Sequence, residues 1–395
     1  MALCGDSITE QRMYTVLIED YLLMCQTAGT VRTAQLGWSG EMVTALHGRL
    51  SSDLVPFHPT VVTLLYGMND GGYSPPSHEV EQSFHAETAA VIHELHAQGV
   101  RLILVASPCA VDLDRFKSWL FAKCSPEAYN DTLLGLGRAA QAAAQEQGAL
   151  WVDVHGTMQA VMRAAKARYG PSYSLSVDGV HPGPNGHLVI AAAFLKAMGC
   201  DGEIGLIDFD IETGKVTGSE GHRVLDSSPH EISLESTRYP FCFTDDAARE
   251  DSTATILPVL PFNEDLNRFR LIVRHAPAHL QVTWGDETRI FTGAELARGI
   301  NLCTAFSRTP FQAAFVEVEM AIKRQQEFET PAVKNLLHGL ANIDRYFPAG
   351  LDDRGSLSAK LIRRDAELNE AARSLVRPVR HRLQFAPVPA SLPSR

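Results

Sequence analysis

The chain has 395 residues, more than one domain usually contains, so its length predicts two or three folding units with a substantial core. Hydrophobic residues make up 45% of it and charged residues 21%, which is typical of a globular protein and gives no indication of long disordered regions. The net charge of −11 argues against nucleic acid or an anionic membrane surface as the main partner. No apolar run approaches the roughly 18 to 20 residues that span a bilayer.

The first predicted element is a short strand, Met1 to Cys4, which precedes the motif Gly5-Asp6-Ser7-Ile8-Thr9. Strands usually have about five or six residues, so this one is short. A secretory signal needs a basic start and an apolar core of about 7 to 15 residues, and neither is present. The sequence as given therefore predicts a cytoplasmic protein. The alternative is that the start of this strand and an export signal before it are missing, which would make the protein secreted or periplasmic.

Residues 1–200 alternate short apolar runs with segments of helical periodicity, which predicts βαβ units around a mainly parallel sheet. The predicted strands after the first are Thr30 to Leu36, Val61 to Tyr66, Leu102 to Ala106 and Trp151 to Val154. The predicted helices cover Met13 to Met24, Phe84 to Leu95, Tyr129 to Gln147 and Gly186 to Met198. Ser7 and Asn69 each follow a strand, so we expect both at the carboxyl edge of the sheet, where open α/β folds bind ligands.

Residues 201–310 carry short strand-like runs separated by Gly, Pro, Asp and Asn, which predict a small β-sandwich. These runs are Ile204 to Ile211, His222 to Leu225, Ile232 to Leu234, Tyr239 to Phe243, Phe269 to Val273, Leu280 to Trp284 and Arg289 to Thr292. Gly285-Asp286 has the composition of a hairpin turn. Helical spacing returns in residues 311–376, and the four prolines after residue 377 predict a flexible tail over residues 377–395.

The seven cysteines are odd in number, so at least one has no partner within the chain. They show no metal-ligand spacing. Buried free thiols are the preferred interpretation, and a bridge between Cys109 and Cys124 across a loop is the alternative.

Ser7 begins a helix directly after a strand, so its hydroxyl and backbone N–H can point toward a ligand at the helix N-terminus. A serine in this position is a candidate nucleophile. The alternative is that Ser7 only caps the helix, which is a common use of serine.

His181 supplies the base that a serine nucleophile requires, because neutral imidazole can remove the hydroxyl proton near pH 7. Asp178 lies three residues upstream and can hold the tautomer of the ring. Such Asp-x-x-His pairs also occur in ordinary surface loops. His187 is a second candidate base, but we expect it to lie on the closing helix.

Asn69 can donate its side-chain amide to a developing oxyanion, or it can simply cap the turn before Gly71-Gly72. Gly40 can offer a backbone N–H to the same oxygen, although Gly37 is close by and Gly40 can also be a plain turn residue. Three carboxylates near these positions, Asp6, Asp70 and Asp153, are expected to serve structural hydrogen bonds.

These motifs, around Ser7, Gly40, Asn69 and His181, resemble the four conserved sequence blocks of the SGNH hydrolase superfamily, also called GDSL esterases and lipases. Gly-Asp-Ser7 matches its first block, Gly40 in Ser-Gly-Glu-Met the second, Asn69 in Gly-Met-Asn-Asp the third, and Asp178 with His181 the last. The second block departs from the usual pattern because Glu41 and Met42 replace small polar residues.

The resemblance implies a flavodoxin-like three-layer α/β/α domain without a metal or an organic cofactor. It implies Ser7 as nucleophile, His181 as base and Asp178 as its orienting carboxylate. Ser7, Gly40 and Asn69 would form the oxyanion hole.

The expected function is a serine esterase that works through an acyl-enzyme. An appended sandwich and no long apolar lid favour short acyl groups, such as acetyl on a carbohydrate, so the expected partner is a small-molecule or glycan ester. The alternatives are a general short-chain esterase or thioesterase, a lysophospholipase, or a silent carbohydrate-binding or scaffolding protein. Nothing in the sequence indicates an oligomeric state.

Overall fold

The structure is a computed structural model that describes residues 1–26, 31–343 and 354–388. Within these residues the N-terminal unit is a parallel sheet with helices on both faces. Its strands are β1 (Ala2–Gly5), β2 (Ala34–Gln35), β3 (Val61–Leu65), β4 (Leu102–Ala106) and β5 (Leu150–Val152), in the order β2-β1-β3-β4-β5. Gly5 pairs with Leu65, so Ser7 and Asn69 follow neighbouring strand ends. The predicted α/β sheet is confirmed.

The second strand is shorter than expected. It occupies the edge of the sheet, and its outward backbone groups bond to side chains from the C-terminal helices instead of to another strand. Gln35 N donates to Oε2 of Glu329 at 2.7 Å, and Thr33 N donates to Oδ1 of Asn369 at 3.0 Å. Thr30, where we expected this strand to begin, lies outside the described residues.

The helices of this unit form two layers. They are α1 (Ser7–Glu10), α2 (Met13–Asp20), α3 (Val43–Arg49), α4 (His78–Ala97), α5 (Pro126–Gln147), α6 (Val154–Tyr169) and α7 (Pro184–Ala197). Helices α2, α6 and α7 share one apolar core, and α3, α4 and α5 share a second core on the opposite face of the sheet. The layers are thus helix, sheet and helix, as the resemblance implied.

Short helical turns extend two of these helices. Two π-helical turns, Tyr21–Cys25 and Leu50–Leu54, follow α2 and α3, and two 3-10 turns are Val55–Phe57 and Phe116–Ser118. Arg12 has a left-handed backbone with φ 61°, which separates α1 from α2. The segment after Ser7 is therefore two helices and not one.

Two further sheets make up the second half of the chain. The first contains β6 (Glu203–Asp210), β7 (Val216–Gly218), β10 (Arg268–Arg274) and β13 (Ile300–Asn301) in the order β13-β10-β6-β7. The second contains β8 (His222–Ser228), β9 (Glu231–Ser236), β11 (His279–Trp284), β12 (Glu287–Thr292) and β14 (Val379–Pro387) in the order β12-β11-β14-β9-β8. Short helices join them: α8 (Thr253–Ile256), α9 (Phe262–Leu266), α10 (Gly293–Arg298) and α11 (Leu302–Ala305).

The two sheets pack face to face through aromatic side chains. Phe209 stacks on Phe385 with ring centroids 5.0 Å apart, and Phe269 meets Trp284 edge-on at 5.8 Å. Trp284 pairs with Glu287, so Gly285-Asp286 is the two-residue hairpin turn that the sequence predicts. The expected sandwich is therefore present, with one parallel pair, β6 with β10, in an otherwise antiparallel unit.

The prediction of a strand over Tyr239 to Phe243 is wrong. The backbone of this segment bonds to other elements: Tyr239 N donates to the carbonyl of Met24 at 2.8 Å, and Phe241 N donates to Oδ1 of Asn267 at 2.8 Å. The apolar side chains that suggested a strand are buried because the segment lies between the two halves of the protein.

The prediction of a flexible tail is also wrong for Val379–Pro387. This segment is β14, which lies between β9 and β11 in the five-stranded sheet. His381, Leu383 and Phe385 are buried and face the core. They alternate with Arg380, Arg382 and Gln384, which are exposed. This period of two is typical of a half-buried strand, and the prolines lie at and beyond its ends. Residues 389–395 lie outside the described residues.

The C-terminal helices bind the two halves together. They are α12 (Gln312–Pro331), α13 (His338–Asn342) and α14 (Arg354–Ser374), with a π-helical turn at Ala332–Leu337. Thr15 on α2 donates to Oε1 of Gln326 at 2.6 Å inside this contact. In the described ranges, no helix combines the length and the apolar character needed to cross a membrane. All seven cysteines lie within these ranges and carry free thiols.

Candidate active site

Ser7 is the first residue of α1, directly after the end of β1. The preceding residue, Asp6, caps the helix, because its Oδ1 accepts from Ile8 N at 2.9 Å. The alternative that Ser7 is only the cap therefore does not describe this turn. A Cβ on Gly5 would lie 2.0 Å from Oγ1 of Thr9, so only glycine fits before the cap. Burial raises the pKa of Asp6 to about 7, although the hydrogen bond from Ile8 opposes this rise.

Ser7, His181 and Asp178 form one continuous chain of hydrogen bonds. Oγ of Ser7 lies 2.8 Å from Nε2 of His181, and Nδ1 of the same ring lies 2.7 Å from Oδ2 of Asp178. The imidazole is 24% exposed, so a substrate can reach it from solvent. With Nδ1–H donating to the carboxylate, Nε2 is free to accept the serine proton.

The Asp178 carboxylate fixes the loop that carries it through backbone hydrogen bonds. Its Oδ1 accepts from the backbone N–H groups of Val180 at 2.9 Å and His181 at 2.7 Å. Partial burial favours the neutral carboxyl, but the hydrogen bonds from His181 and Val180 outweigh it and lower the pKa of Asp178 below its usual value. Gly179 has φ 97° and a Cβ there would lie 2.3 Å from Phe116 N, so the turn requires glycine. Asp178 is thus a fixed, ionised partner for the ring at neutral pH.

Asn69 lies in the turn after β3 with both ends of its amide engaged. Its Nδ2 donates to the carbonyl of Glu41 at 3.1 Å, and its Oδ1 accepts from the hydroxyl of Tyr73 at 3.1 Å. One Nδ2 hydrogen remains for a ligand. Asp70 fastens this turn to the preceding loop, because its carboxylate accepts from Val43 N and from Gly67 N, each at 2.9 Å. Burial raises the pKa of Asp70 to about 6.

Gly40 and Gly37 differ in their surroundings, which separates two candidates that the sequence left open. Gly40 is exposed with φ 76°, and no atom lies within 4 Å of the place where a Cβ would be. Gly37 is pressed against α1, where a Cβ would lie 2.3 Å from Glu10 N. Gly37 therefore serves packing, whereas Gly40 is exposed and precedes Glu41, whose carbonyl binds Asn69.

Glu41 explains why this chain departs from the usual second block. Its buried carboxylate accepts from Nε of Arg49 at 2.6 Å and from the hydroxyl of Tyr66 at 2.7 Å. Nη2 of Arg49 also donates to the carbonyl of Leu36 at 2.8 Å. A buried ion pair with these additional bonds fixes the loop that carries Gly40 and the carbonyl that orients Asn69.

An aromatic wall borders the site, and no sequence pattern predicts it. We define it as Tyr73, Trp119 and Phe121. The Trp119 ring meets His181 edge-on at 5.5 Å, and it lies 5.9 Å from the Tyr73 ring. Phe121 is 60% exposed. Nothing in the spacing of these residues relates them to the four blocks, because Trp119 and Phe121 are on a separate loop.

The residues set aside on sequence grounds have structural partners. His187 lies on α7, where its Nδ1 accepts from Tyr14 N at 3.3 Å and its Nε2 lies 3.0 Å from Oε1 of Gln11. Burial and the nearby His181 lower the pKa of His187 to about 3, so it stays neutral. Asp153 caps α6 by accepting from Gly156 N at 2.8 Å. In the described part of the chain, no group of three or more metal-binding side chains is arranged to hold an ion.

Comparisons with known proteins agree with this architecture. The model of the GDSL-like lipase/acylhydrolase family matches residues 3–189. An acetylxylan esterase from Geobacillus stearothermophilus is 24% identical over 169 residues, which cover 43% of this chain and 73% of that protein.

Solved structures resemble this one to different extents. A gut microbial diltiazem-metabolizing enzyme superposes with a TM-score of 0.75 at 20% identity, covering 98% of this chain and 97% of that one. The likeness extends over both halves and shows a shared fold. An alpha/beta hydrolase enzyme from the metagenome of Lake Arreo covers 50% of this chain and 94% of its own, with a TM-score of 0.40 and 22% identity. On the family match, residues 3–189 form a GDSL-like lipase/acylhydrolase domain of the SGNH superfamily, and the protein is a carboxylic ester hydrolase.

Proposed function

We propose that this esterase works through an acyl-enzyme formed on Ser7, with His181 as base and Asp178 as its orienting carboxylate. The single observation that carries the proposal is the unbroken chain of contacts from Ser7 Oγ to His181 at 2.8 Å and from His181 to Asp178 at 2.7 Å. A hydroxyl in this arrangement can lose its proton to the ring as it attacks.

The proposed reaction has two halves. Oγ of Ser7 attacks the ester carbonyl while its proton passes to Nε2 of His181. The oxyanion receives hydrogen bonds from the backbone N–H groups of Ser7 and Gly40 and from Nδ2 of Asn69. The carbon–oxygen bond to the alcohol then breaks, and His181 gives that oxygen its proton. In the second half, His181 takes a proton from water as the water oxygen attacks the acyl carbonyl. The bond from the acyl carbon to Oγ of Ser7 then breaks, His181 returns the proton to Oγ, and the acid leaves.

For the substrate we propose a short acyl group, such as acetyl, on a carbohydrate. The acetylxylan esterase among the relatives supports this choice. A general short-chain esterase or thioesterase, or a lysophospholipase, is the alternative within the same chemistry. An inert carbohydrate-binding or scaffolding protein is the alternative from another class.

The test uses the purified full chain with three kinds of measurement. We expect wild-type protein to hydrolyse p-nitrophenyl acetate faster than the octanoyl ester and to release acetate from acetylated xylo-oligosaccharides. Ser7→Ala should remove both activities and labelling by a fluorophosphonate, while Ser51→Ala, at an exposed serine outside the site, should leave them unchanged. Full activity in Ser7→Ala would refute the nucleophile assignment, and an unlabelled, inactive wild type would indicate the inert alternative.

A further inference from the structure

The donors proposed for the oxyanion hole depend on two segments of the chain. Ser7 begins α1, whereas residues 38–41, which we call the oxyanion loop, contain both Gly40 and the carbonyl that binds Nδ2 of Asn69. The oxyanion loop belongs to no helix or strand. Its position relative to α1, and with it the spacing of the donors, therefore depends on contacts between side chains and backbone.

Glu10 joins the two segments directly. It lies on α1, one turn after Ser7, and its Oε2 accepts a hydrogen bond from the backbone N–H of Ser39 in the oxyanion loop. Its Oε1 contacts Nζ of Lys334 at 2.8 Å. Lys334 is in the π-helical turn Ala332–Leu337, outside the residues that the family model matches. One carboxylate thus links the nucleophile helix, the oxyanion loop and the C-terminal part of the chain.

Lys334 also contacts the oxyanion loop itself, through Trp38. Its ammonium group lies 5.0 Å from the centre of the Trp38 ring, and the guanidinium of Arg49 lies 5.1 Å from the same centre. A cation within about 6 Å of an aromatic ring is attracted by the ring quadrupole. The His338 ring meets Trp38 edge-on at 5.1 Å. Two residues of the C-terminal part, Lys334 and His338, therefore hold the start of the loop.

The contact between Lys334 and Glu10 is partly shielded from solvent, because the two side chains are only 22% and 20% exposed. Partial burial favours the neutral carboxyl, but the hydrogen bonds from Lys334 and Ser39 outweigh it and lower the pKa of Glu10. Glu10 is thus ionised at neutral pH. Without the ammonium group, this carboxylate would be partly buried with one less donor, and turning toward water would be favourable. That movement would release Ser39.

A separate set of contacts holds α1 in place without Lys334. Oγ1 of Thr330 on α12 accepts from Nη1 of Arg12 at 3.1 Å and donates to Oε1 of Gln35 at 3.3 Å. Nε2 of Gln35 in turn donates to the carbonyl of Thr9 at 2.7 Å. Loss of Lys334 should therefore loosen the oxyanion loop while the nucleophile helix stays where it is.

We propose that Lys334 is a positioning residue for the oxyanion hole and that it acts by holding Glu10 against Ser39. The proposal rests on the acyl-enzyme mechanism above, in which the N–H groups of Ser7 and Gly40 bind the oxyanion. It gives the C-terminal part of the chain a role in the reaction. The oxyanion exists only around the transition state, so a displaced donor weakens transition-state binding more than substrate binding.

The experiment uses the full-length protein with p-nitrophenyl acetate. Lys334→Met keeps an unbranched side chain beside Trp38 and removes the charge. We expect kcat to fall about tenfold, less than the roughly 10²-fold loss on deleting a donor, because the donors remain but are less well placed. KM should stay within about twofold of wild type. Lys334→Arg keeps a cationic donor for Glu10 and should restore kcat to within about threefold.

A double variant tests whether Lys334 acts through Glu10. Glu10→Ala alone should also lower kcat about tenfold, and adding Lys334→Met to it should lower kcat by no more than about twofold further. The matched control is Lys323→Met on α12, where the lysine pairs with Glu319 at 3.2 Å, and it should keep the wild-type kcat and KM. Thermal unfolding of each variant checks that the fold is retained.

Four results would overturn the positioning role while leaving the esterase mechanism intact. These are an unchanged kcat in Lys334→Met, a change in KM alone, an equal loss of kcat in Lys323→Met, and losses that multiply fully in the double variant. Failure of the proposed function would look different. In that case the wild type itself would neither hydrolyse p-nitrophenyl acetate nor react with a fluorophosphonate.

Discussion

The hydroxyl of Tyr73 donates to Oδ1 of Asn69 at 3.1 Å, and Tyr73 does so from a left-handed backbone with φ 56°. A non-glycine residue in this region carries backbone strain. The Tyr73 ring packs against Tyr129 with centroids 5.1 Å apart, and this packing holds the strained conformation in place. Together with the Glu41 carbonyl, Tyr73 fixes the plane of the Asn69 amide, so that its remaining hydrogen has a defined direction.

Tyr73→Phe removes this hydrogen bond and keeps the ring. We expect kcat to fall about two- to tenfold, which corresponds to the loss of one ordinary hydrogen bond, with KM and the unfolding midpoint nearly unchanged. Steady-state kinetics on p-nitrophenyl acetate and thermal unfolding measure these quantities. A change in KM alone would mean that Tyr73 contacts the substrate and does not position Asn69.

Asp178→Asn keeps the shape of the side chain but removes the charge that stabilises protonated His181. We expect kcat to fall by about 10²- to 10⁴-fold, as is usual when the carboxylate of such a triad is neutralised. Asp153→Asn is the matched control, because asparagine caps a helix as well as aspartate does, and it should retain wild-type kcat. Similar kcat values in the two variants would contradict the role of Asp178.

Gly37 and Gly40 provide a paired test of packing against function. Gly37→Ala should lower the free energy of unfolding by about 1–3 kcal/mol, because the added methyl group overlaps α1. Gly40→Ala meets open space, so we expect only the strain of a left-handed alanine, about 1 kcal/mol, together with a lower kcat as the loop shifts. Denaturant unfolding and kinetics separate these effects, and equal losses of stability would refute the packing argument.

His381 gives the second half of the protein a dependence on pH. Nε1 of Trp284 donates to its Nδ1 at 3.2 Å, its Nε2 lies 2.9 Å from Oγ of Ser236, and that oxygen lies 2.8 Å from Nδ1 of His222. Because Nδ1 of His381 accepts from Trp284, these bonds require the His381 ring to be neutral. Burial, together with the nearby His222, lowers the pKa of His381 to about 3.

The sign of the effect follows from the unfolded state, in which histidine titrates near pH 6.5. Below that pH the unfolded chain binds a proton that folded His381 does not, so the stability present above pH 6.5 is lost as the pH falls toward 3. We expect the pH slope of the unfolding free energy between pH 6 and 4.5 to be smaller by about 1.4 kcal/mol per unit in His381→Gln. His230→Gln, at an exposed histidine, should keep the wild-type slope, and a His381→Gln slope equal to wild type would exclude this origin.

Much of the first half could be predicted because its signals are local. Parallel strands put their carboxyl ends at one edge, so the positions of Ser7 and Asn69 follow from the strands before them. His181 and Asp178 lie on one short loop, so a single turn brings them together. The structure joins Ser7, His181 and Asp178 by hydrogen bonds, and Asn69 follows the strand next to that of Ser7; the variants above test their roles.

The remaining features depend on contacts between distant parts of the chain. Tyr239 to Phe243 has the composition of a strand, but its backbone bonds to Met24 and Asn267, which no local pattern reveals. The prolines beyond residue 377 predicted a flexible tail, although buried and exposed residues alternate along β14 as in a strand. Tyr73 and Trp119 reach the site only through tertiary packing. The choice between Gly37 and Gly40 likewise requires the position of α1.

The place of β14 between β9 and β11 also constrains the order of events during synthesis. Ser236 and His381, which are hydrogen-bonded across this sheet, are 145 residues apart in the chain. At about 5–20 residues per second, a ribosome needs roughly 7–30 s to cover that distance. The α/β unit can assemble in the meantime, while β9 and β11 wait as unpaired edges that a chaperone would have reason to shield.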